Sequence, residues 1–177
     1  LDVMLDLEGT QVRVTALPKG LEVHGKGLVL TVSGVRGKAV FDLIGGTAAL
    51  GGVGMRLDVR GKDVDLTITD AQGEVALRLA GGKAQVSGVR GGIQAETQGT
   101  PLSIRDSAGL VVKAAKARVD LVDVSDAELF LTGAPLTMTR VRGVARIETD
   151  LDVKFADTSA AIHLEGSGGT VRGSGSS

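Results

Sequence analysis

A four-residue motif returns along this chain every 17–19 residues: Asp or Gly, two variable residues, then Gly. It reads Gly34-Val-Arg-Gly37, Gly51-Gly-Val-Gly54, Asp70-Ala-Gln-Gly73, Gly88-Val-Arg-Gly91 and Asp106-Ser-Ala-Gly109. Altered copies follow as Asp123-Val-Ser-Asp126, Arg140-Val-Arg-Gly143 and Asp157-Thr-Ser-Ala160, and a faint one closes at Gly20. The closing positions are therefore 20, 37, 54, 73, 91, 109, 126, 143 and 160. A fixed period of this length is the mark of a stacked architecture, in which no unit buries its apolar face alone. Asp at the start of a turn accepts hydrogen bonds from the backbone two residues on, and Gly at its end tolerates positive φ, so each motif predicts a tight corner between two strands.

Columns read relative to the closing position predict which way the side chains face. Seven residues before it stand Leu30, Leu66, Ala84, Leu102, Val119, Leu136 and Val153; five before it stand Val32, Ala49, Ile68, Val86, Ile104, Leu121, Met138 and Phe155. Two residues after it stand Ala39, Val75, Ile93, Val111, Ala145 and Ile162; four after it stand Phe41, Leu77, Ala95, Phe130, Ile147 and Leu164. The residues between are mostly polar, which is the period-2 alternation of half-buried strands. This reading places Phe41, Phe130 and Phe155, the only aromatics in the chain, in inward columns. Lys113 breaks its column, which requires either a snorkelling side chain or a slip of register.

Two strands per repeat allow a parallel solenoid, in which each strand lies on its copy one coil away, or a curled antiparallel meander. The columns hold register over whole repeats and the two corners differ in sequence. The expected fold is thus all-β, a parallel β-solenoid with two strands per 17–19-residue coil and about nine coils, the meander being the alternative. Residues 1–27 are expected to form N-terminal capping coils, because Arg13 and Thr15 fall at inward positions there. Residues 28–172 form the repeat, and the Gly/Ser-rich residues 173–177 a flexible tail, in one domain overall.

Composition narrows the function classes. Apolar residues make up 42% of the chain, yet Trp and Tyr are absent, so the core is thin and aliphatic. There are 27 Gly, far above the usual ~7% share, and no Asn. A Gly, Ala, Val, Asp and Arg bias without Asn is associated with GC-rich bacterial genomes. The 20 basic and 21 acidic residues nearly cancel, and no basic face or set of stacking aromatics supports nucleic-acid binding. With no Cys there are no disulfides, thiolate metal sites or Cys nucleophiles. No apolar run reaches the ~20 residues of a membrane span and no signal peptide is visible. The chain starts at Leu1 and not Met, so it is expected to be a trimmed fragment.

The strings Ala84-Gln-Val-Ser-Gly-Val-Arg-Gly-Gly-Ile-Gln-Ala-Glu-Thr97 and Leu136-Thr-Met-Thr-Arg-Val-Arg-Gly-Val-Ala-Arg-Ile-Glu-Thr149 resemble the bacterial adhesin domain of unknown function. Its members repeat apolar-x-apolar-x-x-apolar-x-Gly-x-apolar-x-apolar-x-Thr, and the resemblance covers roughly residues 28 to 172. It implies a β-solenoid associated with the cell envelope and carries over no catalytic residue.

Four groups of polar residues are candidate sites. Asp70, Asp106, Asp123 and Asp157 stack at one corner, as in a calcium ladder. Arg140 and Gly88 interrupt the column, so aspartates satisfying turns are the simpler reading. Gly20-Leu-Glu-Val-His-Gly-Lys-Gly27 approaches a phosphate loop, but it lacks the hydroxyl after Lys26 and a following helix. His24 and His163, the only histidines, lie about eight repeats apart and cannot meet. Glu96, Glu148 and Glu165 could form a glycosidase-type acidic face, but Trp and Tyr sugar platforms are missing. No catalytic, cofactor-binding or metal residue is assigned. The expectation is a non-catalytic structural or interaction module, adhesin-like, of a bacterial envelope protein, acting outside the cytoplasm on an unknown protein or envelope component. The alternatives are a lipid-handling β-groove protein that bridges membranes and a filament-forming solenoid.

Overall fold

The structure, a computed structural model, describes residues 3–174. Every strand pairing in it is parallel. The strands are β1 (Val3–Glu8), β2 (Gln11–Thr15), β3 (Leu21–Ser33), β4 (Ala39–Gly51), β5 (Leu57–Thr69), β6 (Val75–Val89) and β7 (Ile93–Gln98). They continue as β8 (Leu102–Ala115), β9 (Val119–Thr132), β10 (Leu136–Thr139), β11 (Val144–Thr149), β12 (Val153–Ala156), β13 (Ala161–Gly166) and β14 (Val171–Ser174). Leu21 lies beside Ala39, Ala39 beside Leu57, Leu57 beside Val75 and Val75 beside Ile93. The chain is therefore a parallel β-solenoid of about ten coils with a step of 17 or 18 residues. At the usual spacing of ~4.8 Å per strand the rod is ~45 Å long.

Each coil presents two strand faces, one outside Leu21–Lys26 and its copies and one outside Leu28–Ser33 and its copies. The inward residues of both meet in a single aliphatic core: Leu21, Val23, Leu30, Val32, Phe41, Leu57, Leu66, Leu77 and Leu102 are all 0–1% exposed. These columns close on each other, and no open apolar trough lies between them among the described residues. A third inward column, running through Val35, Val53, Ala71, Val89, Ser107, Val124 and Val141, fills the corner between the faces.

Two left-handed backbone positions per coil make the turns. One column is Ala16, Gly34, Gly52, Asp70, Gly88, Asp106, Asp123, Arg140 and Asp157, with φ between 50° and 69°. The other is Gly9, Gly27, Gly45, Asp63, Gly81, Gly99, Lys116 and Gly133, always seven residues earlier. Positive φ thus falls on the first position of the repeated motif, where Asp, like Asn, tolerates it better than most L-residues, and among the closing glycines only on Gly143 at φ 77°. The closing glycine answers a different need. A Cβ on Gly37 would stand 2.5 Å from the backbone nitrogen of Gly20, and one on Gly91 2.6 Å from that of Glu74. Backbone lies directly on backbone there. The ladder continues round the corners, as in Gly34 N–H to Gly51 O at 3.1 Å and Gly9 N–H to Lys26 O at 2.8 Å, so the bends leave few orphaned amides.

Three parts of the column assignment are corrected. The corner after Gly37 closes at Met55 and not Gly54, because Gly73 stacks on Met55; the inward residues are then Ala48 and Leu50, and Ala49 is exposed. In the first coil Val12 and Val14 pair with Leu30 and Val32 and pack against the core, while Arg13 and Thr15 point outward. The third correction has functional weight. Ile93 lies five residues after Gly88, but its copy Leu110 lies only four after Asp106, and Ala127 only four after Asp123. One residue is missing from those two corners, which flips the following strand. Leu110 and Val112 face in, and Val111, Lys113 and Phe130 face out. Lys113 is thus a register slip, and Phe130 is a surface residue.

The coil made by β1 and β2 stacks on β3 in continuous register. At the other end Gly173 and Ser174 belong to β14, and the rest of the predicted tail, 175–177, lies outside the described residues.

Candidate functional site

The two outer faces differ in chemistry. Outside Leu28–Ser33 and its copies short hydroxylated side chains recur, such as Thr31, Ser33, Thr67, Thr69, Thr137 and Thr139, with charges such as Asp65, Lys83, Arg118 and Asp120 between them. Outside Leu21–Lys26 and its copies they are long and charged. The middle outward column of that face starts Asp6, His24, Asp42, Arg60, Arg78. It continues Glu96, Lys113, Phe130, Glu148, Glu165.

In its first half this face is occupied with itself. Arg56 donates to Asp58 at 2.8 Å and reaches Glu74 at 3.4 Å, while Lys38 holds the other Asp58 oxygen at 3.1 Å. Burial pushes the Asp58 carboxyl up, but the hydrogen bonds from Arg56 and Lys38 outweigh it and the net shift is downward. His24 lies 3.0 Å from Glu22 and 3.3 Å from Asp42, and Lys26 lies 3.6 Å from Glu8. Beyond Lys113 the pattern changes. Among the described residues, no ion pair within 4.0 Å involves Glu128, Arg146 or Glu148. Phe130, 36% exposed, carries the Lys113 ammonium 5.8 Å from its ring centre, within reach of a cation–π contact.

The sequence-derived candidates fall as follows. Glu148 and Glu165 are neighbours on successive coils, but Glu96 is separated from them by Lys113 and Phe130. His163 pairs with Glu165 at 3.1 Å, at the far end of the rod from His24. Gly25, Lys26 and Gly27 lie within β3. Among the described residues no three His, Cys, Asp or Glu side chains converge as metal ligands, and no helix is long and apolar enough to cross a membrane.

The corner aspartates do stack, and Arg140 sits among them. Its Nε and Nη2 donate to Asp123 Oδ1 and Oδ2 at 2.7 and 2.6 Å, a two-pronged bond between successive coils, with Asp106 and Asp157 adding attraction. Other aspartates staple coils by accepting backbone N–H groups: Asp126 from Val144 at 2.9 Å, Asp150 from Gly133 at 2.7 Å and Asp152 from Thr170 at 2.7 Å. Of the stacked corner aspartates, Asp123 is thus clipped to the next coil by a guanidinium within the ladder, and the backbone staples come from aspartates outside it.

The hydrogen bond from Arg140 holds the Asp123 carboxyl below its ordinary value of 3.8. A carboxyl depressed in the folded state stabilises the fold above that ordinary value, and the contribution is lost as pH falls through the folded one. In an NMR titration the Asp123 midpoint is expected below the ordinary range and to return to it in Arg140→Ala, with acid unfolding of the variant less steep through that window. Equal midpoints in the two proteins would rule out the pair as the cause.

No family model matches this chain, and none of the curated proteins or solved structures compared with it is similar. The fold is thus established by the strand register alone, and the surface by its own chemistry.

The charged face carries relief along its length. Five shallow depressions of 440–660 Å³ lie on it. They share walls: Arg78 borders three of them, and Phe130 and Arg146 two each. The string begins at Asp6 and ends at Glu165, crossing every coil. Sequence reading located the carboxylates on this face but missed Phe130, because the residue lost from each short corner carries no signature of its own.

Proposed function

We propose that this chain is a non-catalytic interaction module of a bacterial envelope protein, adhesin-like in role, that presents its charged face to a partner. The observation that carries the reading is the row of connected depressions along one face of a rigid rod. A parallel solenoid with a closed core resists bending, because each coil is hydrogen-bonded to both neighbours. Such a body serves to hold a surface in a fixed shape. Exposed polar residues on rigid elements are where recognition is placed.

The test is titration of fluorescently labelled protein onto isolated bacterial envelopes. Saturable binding is expected. Arg78→Glu, on the charged face, should weaken it, and Arg105→Glu, on the hydroxylated face, should leave it unchanged. Absence of saturable binding, or equal loss in both variants, contradicts the proposal. Turnover of chromogenic glycosides or esters that Glu148→Gln abolishes would contradict its non-catalytic part.

A further inference from the structure

The depressions on the charged face follow the solenoid axis, at right angles to the strands. A ligand lying in them meets a fresh copy of the coil about every 4.8 Å. That geometry suits a linear polymer of repeating units better than a compact small molecule. The chemistry of the track then selects among polymers. A peptide adding as a strand needs a free sheet edge, but across this face every strand from β3 to β11 is paired on both sides. Nucleic acid requires a surplus of cations and several stacking aromatics. Here the middle outward column holds five carboxylates (Asp6, Asp42, Glu96, Glu148, Glu165) against three fixed cations (Arg60, Arg78, Lys113) and one aromatic. An acidic polysaccharide laid along the whole track would meet a carboxylate surplus at its far end, where Glu128, Glu148 and Glu165 line one depression against Arg146.

What remains is a polymer rich in hydroxyls and amides and without net negative charge. The floor between the long side chains is methyl-sized and apolar at Ala76 and Val111 in one depression and at Ala80 and Ala115 in the next. Gln94 and Gln98 bring neutral amides to the same floor, and Arg78 and Glu96 bring planar polar groups to its side. Phe130 stands as the wall between two depressions. Its exposed ring offers an apolar surface to the C–H face of a sugar, as amphipathic aromatic contacts do.

We propose that this face binds a linear polysaccharide of N-acetylated hexosamines laid along the solenoid axis, with one sugar ring against Phe130 and acetamido methyls over the alanine floor. The inference rests on the interaction-module reading and names its ligand class. The probe is a hexamer of β-linked N-acetylglucosamine, titrated calorimetrically into the protein. Saturable binding is expected, weakened about tenfold by Phe130→Ala, the equivalent of one aromatic contact. Ala76→Arg, which fills the floor, should abolish it, and Thr67→Arg on the opposite face should leave it intact. Cellohexaose, with the same backbone but no acetamido groups, should bind at least tenfold more weakly. Because Phe130 and Ala76 face outward, unchanged melting temperatures show that the variants are folded. Failure of the hexamer to bind a protein that still binds envelopes overturns this inference and leaves the broader reading standing. Binding indifferent to Phe130→Ala and Ala76→Arg, or equal for cellohexaose, overturns it as well.

Discussion

Replacing Gly91 with alanine is expected to destabilise the protein by ~3 kcal/mol, at the upper end for overpacking a close contact. The added Cβ would stand 2.6 Å from both the Glu74 nitrogen and the Gly73 oxygen. Those are backbone atoms of the preceding coil, so relief requires two coils to move apart and lengthens the hydrogen bonds of a whole layer. Two other glycines separate this effect from its alternatives. Gly99 lies at φ 63° with nothing within 4 Å of its Cβ position, so Gly99→Ala should cost only the left-handed penalty of about 1 kcal/mol. Gly109 has neither positive φ nor a neighbour within 4 Å, because its corner is one residue shorter. Gly109→Ala should be within ~0.5 kcal/mol of neutral. Denaturant melts of the three variants check the order. Equal losses for Gly91→Ala and Gly99→Ala would mean that coil contact is not what the closing glycine serves.

The second large effect concerns the phenylalanines. Phe41 is 0% exposed in the core beside Val23 and Val59, and Phe41→Ala should cost ~3–5 kcal/mol through lost burial and the cavity left behind. Phe130→Ala should cost less than ~1 kcal/mol, since its ring lies outside beside Lys113. The pair tests the corrected register directly. Were Phe130 inward, as counting along the sequence places it, both substitutions would be severe. Similar losses at the two sites would therefore refute the outward placement and, with it, the sugar platform.

The structural clips answer to different conditions. The Arg140–Asp123 pair is exposed, so added salt should screen most of its contribution, whereas the glycine and core effects should persist in high salt.

Much of this architecture is legible in the amino-acid order alone. The repeat length, the two strands per coil and the location of the corners follow from local sterics. An alternating run selects extended backbone, and Asp or Gly at fixed intervals marks where the chain turns left-handed. The aliphatic core follows from the same alternation. Counting coils from the motif returns about nine because it counts corners, and nine corners join ten coils. What the amino-acid order does not reveal is parity. Side-chain direction in a strand repeats every two residues, so one residue more or fewer at a corner exchanges the inner and outer sets of the whole strand that follows. Nothing local distinguishes the five-residue step after Gly88 from the four-residue step after Asp106; only the hydrogen-bond register of each coil on the next decides it. That single residue moves Lys113 and Phe130 from the interior to the surface and so sets the chemistry of the candidate binding face. The order of residues determined that this chain coils, and the stacking of the coils determined what it presents.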